Sequence, residues 1–94
     1  MTPEAKVKLA VKKILDELGI YHFSPFQAGM GRSGIPDIIG CHKGRFIAIE
    51  CKAGKNTTTA LQRRELNAIT AAGGFAAVVW EDDIKDLKEE LECL

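Results

Sequence analysis

Gly34-Ile35-Pro36-Asp37-Ile38-Ile39-Gly40-Cys41-His42-Lys43-Gly44-Arg45-Phe46-Ile47-Ala48-Ile49-Glu50-Cys51-Lys52 is the stretch on which the fold turns. Two apolar runs, Ile38 to Cys41 and Phe46 to Ile49, flank Lys43-Gly44, whose glycine can take the positive φ that tight hairpin turns require. With Lys43-Gly44 as a two-residue loop, His42 pairs with Arg45, and counting outward sets Asp37 opposite Glu50. A four-residue loop keeps that register, whereas a three-residue loop puts Asp37 on the other face. Directly opposed residues on antiparallel strands hold their Cβ atoms about 4.5 to 5.5 Å apart. Two carboxylates about 5 Å apart repel by roughly 3 kcal/mol at an effective dielectric of about 20, so an apolar hairpin that opposes them calls for a positive charge between them.

The strand period of two returns the Lys52 side chain to the face of Glu50, so an Asp, a Glu and a Lys converge. The Cys51 carbonyl between them adds a hard oxygen, and such an oxygen-only set suits Mg²⁺ or Mn²⁺ better than Zn²⁺. A plainer reading is that Asp37 only opens a strand after Pro36, while Glu50 and Lys52 form an ion pair at a strand end. Pro36-Asp37, the hairpin register and flanking strands free of other charges favour the site.

Gly34-Ile35-Pro36-Asp37, a short hairpin, Glu50-Cys51-Lys52 and a following helix that opens with Gln62 resemble the PD-(D/E)xK nucleases. They resemble more closely the VRR-NUC family, the virus-type replication and repair nuclease domain, in its minimal stand-alone form. The likeness runs from the first helix to Trp80, with Cys51 standing where members more often carry Val. It implies a restriction-endonuclease-like core and a metal-dependent endonuclease whose catalytic residues are Asp37, Glu50, Lys52 and Gln62. Asp37, Glu50, the Cys51 carbonyl and an acidic residue of the first helix, Glu4, would serve the metal, Mg²⁺ or Mn²⁺. It also implies 5′-phosphate and 3′-hydroxyl products and a homodimer acting on branched DNA such as four-way (Holliday) junctions, and it is compatible with a phage or prophage gene. The rival in another class is a non-catalytic DNA-binding or assembly module that keeps the nuclease fold; intact Asp37, Glu50 and Lys52 argue against it.

The 94 residues predict one domain spanning 1–94, with 46% hydrophobic and 28% charged residues, the composition of a globular chain. No apolar run reaches membrane-span length and Met1 to Lys6 do not resemble a signal peptide, which predicts an intracellular, cytoplasmic protein. Cys41, Cys51 and Cys93 form neither a disulfide framework nor a zinc pattern. Net charge is zero, yet residues 30–64 carry seven basic and two acidic side chains while residues 65–94 carry two and eight. The basic middle points to a polyanion near the hairpin, and the acidic remainder opposes indiscriminate binding. A solvated basic face is the competing explanation.

Thr2-Pro3 and the stripe Val7, Val11, Ile14, Leu18 predict a first helix over 3–18, ended by Gly19, with Glu4 at the end of the buried face. A first-turn Glu also serves the helix dipole. Tyr21 to Gln27 reads as an aromatic edge strand containing Pro25, one place where a second subunit could dock. Gly29-Met30-Gly31-Arg32-Ser33-Gly34 matches the dinucleotide fingerprint, but it leads into a strand rather than a helix, so saturable nucleotide binding is not expected. It reads instead as a loop beside the site, with Arg32 in reach of a phosphate. His22 and His42 read as edge residues rather than ligands.

Thr59 and Gln62 fit a capping box, and Gln62, Leu66, Ile69 and Gly73 share one stripe, so Gln62 can both cap and face inward. Arg63 and Arg64 in the same first turn oppose the helix dipole, which with Lys55 and Arg32 makes them the expected nucleic-acid contacts. Phe75 to Trp80 reads as a buried parallel strand reached by a right-handed crossover, with Trp80 in the core. Asp82 or Asp83 then caps a third helix bearing Ile84, Leu87, Leu91 and Leu94. The order αβββαβα gives an α/β (α+β) fold, a mixed four-stranded sheet flanked by helices.

Overall fold

A computed structural model describes residues 1–26 and 31–94. Among them α1 (Pro3–Glu17), β1 (Tyr21–Phe23), β2 (Ile38–His42), β3 (Arg45–Cys51), α2 (Ala60–Ala71), β4 (Phe75–Val79) and α3 (Ile84–Glu92) follow in that order, with a 3₁₀ turn over Glu81–Asp83. The sheet runs β1-β2-β3-β4, antiparallel through its first three strands and parallel between β3 and β4. This is the mixed sheet flanked by helices that the element order predicts.

The hairpin turn is the two-residue one. Lys43 and Gly44 have φ of 53° and 82°, the mirror-image geometry that matches strand twist, and His42 pairs with Arg45. The register continues to Ile38 opposite Ile49, which leaves Asp37 and Glu50 as the next opposed pair.

Alternation along β3 divides the molecule. Ile47, Ile49 and Cys51 join Val7, Val11, Ile14 and Leu15 of α1 and Leu87 and Leu91 of α3 in the buried core. Phe46, Ala48 and Glu50 take the opposite face, where α2 packs. Thr2 caps α1 by accepting the Ala5 N–H, and Pro3 opens the helix.

The structure departs from the sequence expectations in four places. The aromatic edge strand stops at Phe23, short of Pro25, and Gln27 lies outside the described residues, as do Gly29 and Met30 of the glycine motif. β4 is parallel but lies at the sheet's other edge, so only Val79 of its five residues is buried. Trp80 is half-buried rather than in the core, because its indole N–H donates to the Asn56 carbonyl, tying down the loop after β3. Asp83 does not cap α3 through its side chain, which instead accepts the Trp80 N–H and closes the 3₁₀ turn. Among the described residues no helix is long and apolar enough to cross a membrane.

Candidate active site

Asp37 lies one residue before β2, and its side chain bonds across the hairpin. Its Oδ2 accepts the Cys51 N–H at 2.9 Å, so the backbone of β3 fixes the carboxylate. Glu50 is 2% exposed. Its Oε2 accepts the side-chain N–H of Gln62 at 3.2 Å and lies 3.6 Å from the Lys52 ammonium, while Oε1 meets no donor among the described residues. Burial above all, then the charge of Asp37 and its hydrogen bond to the protonated form, push the Glu50 carboxyl up to about 7 against the pull of Lys52. Burial also pushes the Cys51 thiol up to about 12, with its sulfur on the core face, so only its backbone bears on the site.

Gln62 works at both ends. Its Oε1 accepts the Thr59 N–H at 2.9 Å and its backbone N–H donates to Thr59 Oγ1 at 3.2 Å, the reciprocal capping box that starts α2. The remaining amide nitrogen is then aimed at Glu50. Gly34 sets the height of this helix end: at φ of 77°, a Cβ built on it would lie 2.5 Å from the Leu61 carbonyl oxygen. The glycine is required because the loop before Asp37 passes directly against the first turn of α2.

α1 supplies the fourth side. Glu4, Asp37 and Glu50 each offer a carboxylate oxygen within 4.8 Å of the others. Lys8, one turn beyond Glu4, places its ammonium 3.5 Å from Asp37 Oδ1. Sequence reasoning missed Lys8, since a lysine beside a buried stripe reads as solvated; its spacing of four from Glu4 was the available signal.

The expected phosphate contacts lie farther out. Arg32 Nε donates to the nearly buried Glu65 carboxylate, which raises the guanidinium further above its usual range, and the rest of the side chain stays 69% exposed. Arg63 donates to the Thr58 carbonyl at 2.6 Å, so part of its charge serves the loop before α2. Lys55 and Arg64 are exposed.

A family model described as archaeal Holliday junction resolvase (hjc) matches residues 6–81. The chain belongs to that family. It is a PD-(D/E)xK type of nuclease family, and the match takes in Lys8, Asp37, Glu50, Lys52 and Gln62 but starts after Glu4. The VRR-NUC likeness is thus matched at the level of the nuclease superfamily, with the Hjc resolvases as the family found. No curated protein matches the chain.

The resolvase chemistry makes demands that the residues meet. An orphaned oxygen on a carboxylate buried beside two others is a poor resting arrangement for anions and a good one for a divalent cation. The donors are all oxygens, which favours a hard ion.

Proposed function

We propose that this resolvase-family endonuclease cleaves four-way junction DNA as a homodimer using Mg²⁺ or Mn²⁺. The observation that carries the reading is the buried Glu50, whose unpartnered Oε1 lies beside Asp37 and Glu4. Asp37, Glu50, Glu4 and the Cys51 carbonyl would hold the ion. When bound, the ion supplies Lewis acidity at a phosphodiester oxygen and lowers the pKa of an attacking water.

The chain's own residues supply the rest. The Cys51 N–H holds Asp37, and Gln62, itself pinned by Thr59, holds Glu50. Lys52, 9% exposed and steadied by Glu50, presents an ammonium that stabilises the charge building on the phosphate and orients the water. Gln62, whose amide nitrogen reaches the same Glu50 oxygen as Lys52, helps position that water. Products carry 5′-phosphate and 3′-hydroxyl ends. Lys55, Arg63, Arg64 and the free edge of Arg32 line the approach of the DNA backbone.

The homodimer rests on an uncovered sheet face. Tyr21 (69% exposed), Phe23 (49%) and Phe46 (45%) share the face on which α2 packs mainly against β4 and β3, and Phe26 beyond β1 is 90% exposed. Aromatic area of this kind marks association surfaces, and two copies suit a substrate with two strands to cut. The three cysteines, all unpaired, support a cytoplasmic setting. We read residues 1–94 as one domain, and within the superfamily the Gly34-Ile35-Pro36-Asp37 run and the Gln62 helix as VRR-NUC-like.

The test is incubation with linear, flap and four-way DNA in Mg²⁺ or Mn²⁺, comparing the native protein with Asp37→Ala and Lys52→Ala. Cutting of the four-way DNA by the native protein alone is expected. Junction binding without cleavage in either metal would favour a non-catalytic module, and equal cutting by all three proteins would mean a contaminant.

A further inference from the structure

Lys8 is a charged residue of the site to which the reaction has so far given no task. Its ammonium sits on Asp37 Oδ1, the oxygen left over once the Cys51 N–H has taken Oδ2. Its side chain is 38% exposed against 17% for Asp37, so Lys8 is the more solvent-accessible partner of the pair. Glu4 and Lys8, spaced four apart on α1, thus deliver an acid and a base to the same carboxylate.

Charge sharpens the point. With all three carboxylates ionised, as cation binding requires, they sum to −1 against Lys8 and Lys52, and one divalent ion takes the cluster to +1, opposite in sign to a single phosphodiester. A half-exposed lysine–carboxylate contact is weak and screened, so a divalent ion displaces it readily from a shared oxygen. The freed ammonium remains tethered at the mouth of the site, where the next anion to arrive is the DNA backbone.

On the proposed nuclease reading, we propose that Lys8 is a cation-exchanged phosphate clamp. It neutralises Asp37 while the site is empty, and it turns to a phosphate of the bound strand once a divalent ion takes its place. Metal loading and DNA grip are thereby coupled through one side chain.

The test measures four-way junction binding by fluorescence anisotropy from 50 to 300 mM salt, in EDTA and in Ca²⁺, for the native protein, Lys8→Met, Lys8→Arg and the remote surface variant Lys88→Met. Losing one phosphate contact lowers the slope of log K against log salt by about 0.7 to 0.9. The proposal expects that loss for Lys8→Met in Ca²⁺ and not in EDTA, retention of the slope by Lys8→Arg, and no change for Lys88→Met. Titration calorimetry of the DNA-free protein should show Lys8→Met binding Mn²⁺ several-fold more tightly, since a competitor for Asp37 has gone. Unchanged slopes in both buffers would reduce the contact to a structural ion pair, and an equal loss in both would make Lys8 an ordinary phosphate contact; either overturns the exchange. Should Lys8→Met not fold, Lys8→Gln carries the same comparison. Native protein that binds no junction in either buffer would sink the nuclease reading itself and the clamp with it, a failure visible before any variant is measured.

Discussion

Glu50 should make the metal-free protein less stable as the pH rises toward neutrality. The folded carboxyl is pushed up to about 7 from an ordinary 4.5, so between those values the folded state binds the proton that the unfolded chain has released. The contribution of Glu50 to stability is therefore highest below pH 4.5, falls as the pH climbs, and levels off above 7. At 1.36 kcal/mol per unit the full effect is roughly 3 kcal/mol, of which about 2.5 kcal/mol falls between pH 5 and 8. For a chain of this size that is a loss of about 10 to 20 °C in Tm. The assay is urea and thermal unfolding in EDTA from pH 5 to 8, followed by the fluorescence of the single tryptophan, Trp80, for the native protein and Glu50→Gln. Other groups titrate in both proteins, so the readout is the difference between the two curves. Glu50→Gln should lose the decline and also lose cleavage, although a glutamine there can still accept from Gln62. Saturating Mg²⁺ or Mn²⁺ at pH 8 should restore the native protein by about 3 kcal/mol at a hundredfold excess over Kd and leave the variant nearly unmoved. Parallel pH curves for the two proteins, or equal metal stabilisation of both, would refute the argument that Glu50 is a strained acid awaiting a cation.

Gly34→Ala should cost about 2 kcal/mol or more, since it combines a positive φ with a clash against the Leu61 backbone; denaturant unfolding should show that loss, and cleavage should fall as Gln62 shifts. Gln62→Ala removes both the capping-box partner and the Glu50 donor, so unfolding should show a loss of about 1 kcal/mol. Its single-turnover cleavage should fall about 100-fold, the scale for removing one positioned donor. Gln62→Glu keeps the cap but turns the Glu50 donor into a further carboxylate, so it should recover neither the full stability nor the rate. Phe23→Asp together with Phe46→Asp should convert a dimer to a monomer in sedimentation velocity without loss of secondary structure, because both side chains are half-exposed on the uncovered sheet face.

The hairpin was legible because its information is local. The Lys43-Gly44 turn fixes register, register opposes Asp37 to Glu50, and period two returns Lys52 to the same side. Gln62 was legible in both of its roles because the capping box and the helical stripe each constrain a different end of one amide. What the sequence hid was long-range. Its spacing from Glu4 puts Lys8 on the same side of α1, but that Asp37 lies there too is set by how α1 packs on the sheet. The ion pair that Arg32 makes through its Nε with Glu65 on α2 is likewise long-range, and it leaves the side chain 69% exposed. The apolar neighbours of Trp80 predict a core residue, but it follows the last, buried residue of β4, and its indole N–H donates to a loop carbonyl instead.

The two faces of β3 explain how a 94-residue chain tolerates such a site. Ile47, Ile49 and Cys51, each 0% exposed, fill the core against α1 and α3. Fully burying a side chain of the Ile47 or Ile49 kind contributes about 1.5 to 3 kcal/mol, so the pair offsets the cost of ionising Glu50 on the other face. The same alternation keeps Lys52 and Glu50 away from the core while pairing with β4 holds them in place: Glu50 pairs in register with Val78, and the Lys52 N–H donates to the Val79 carbonyl at 2.9 Å. A site on a loop could relax its repelling carboxylates apart. Glu50 is set in a central strand and Asp37 is tied to that strand by the Cys51 N–H, so this pair cannot, and the repulsion stays available as affinity for a divalent ion.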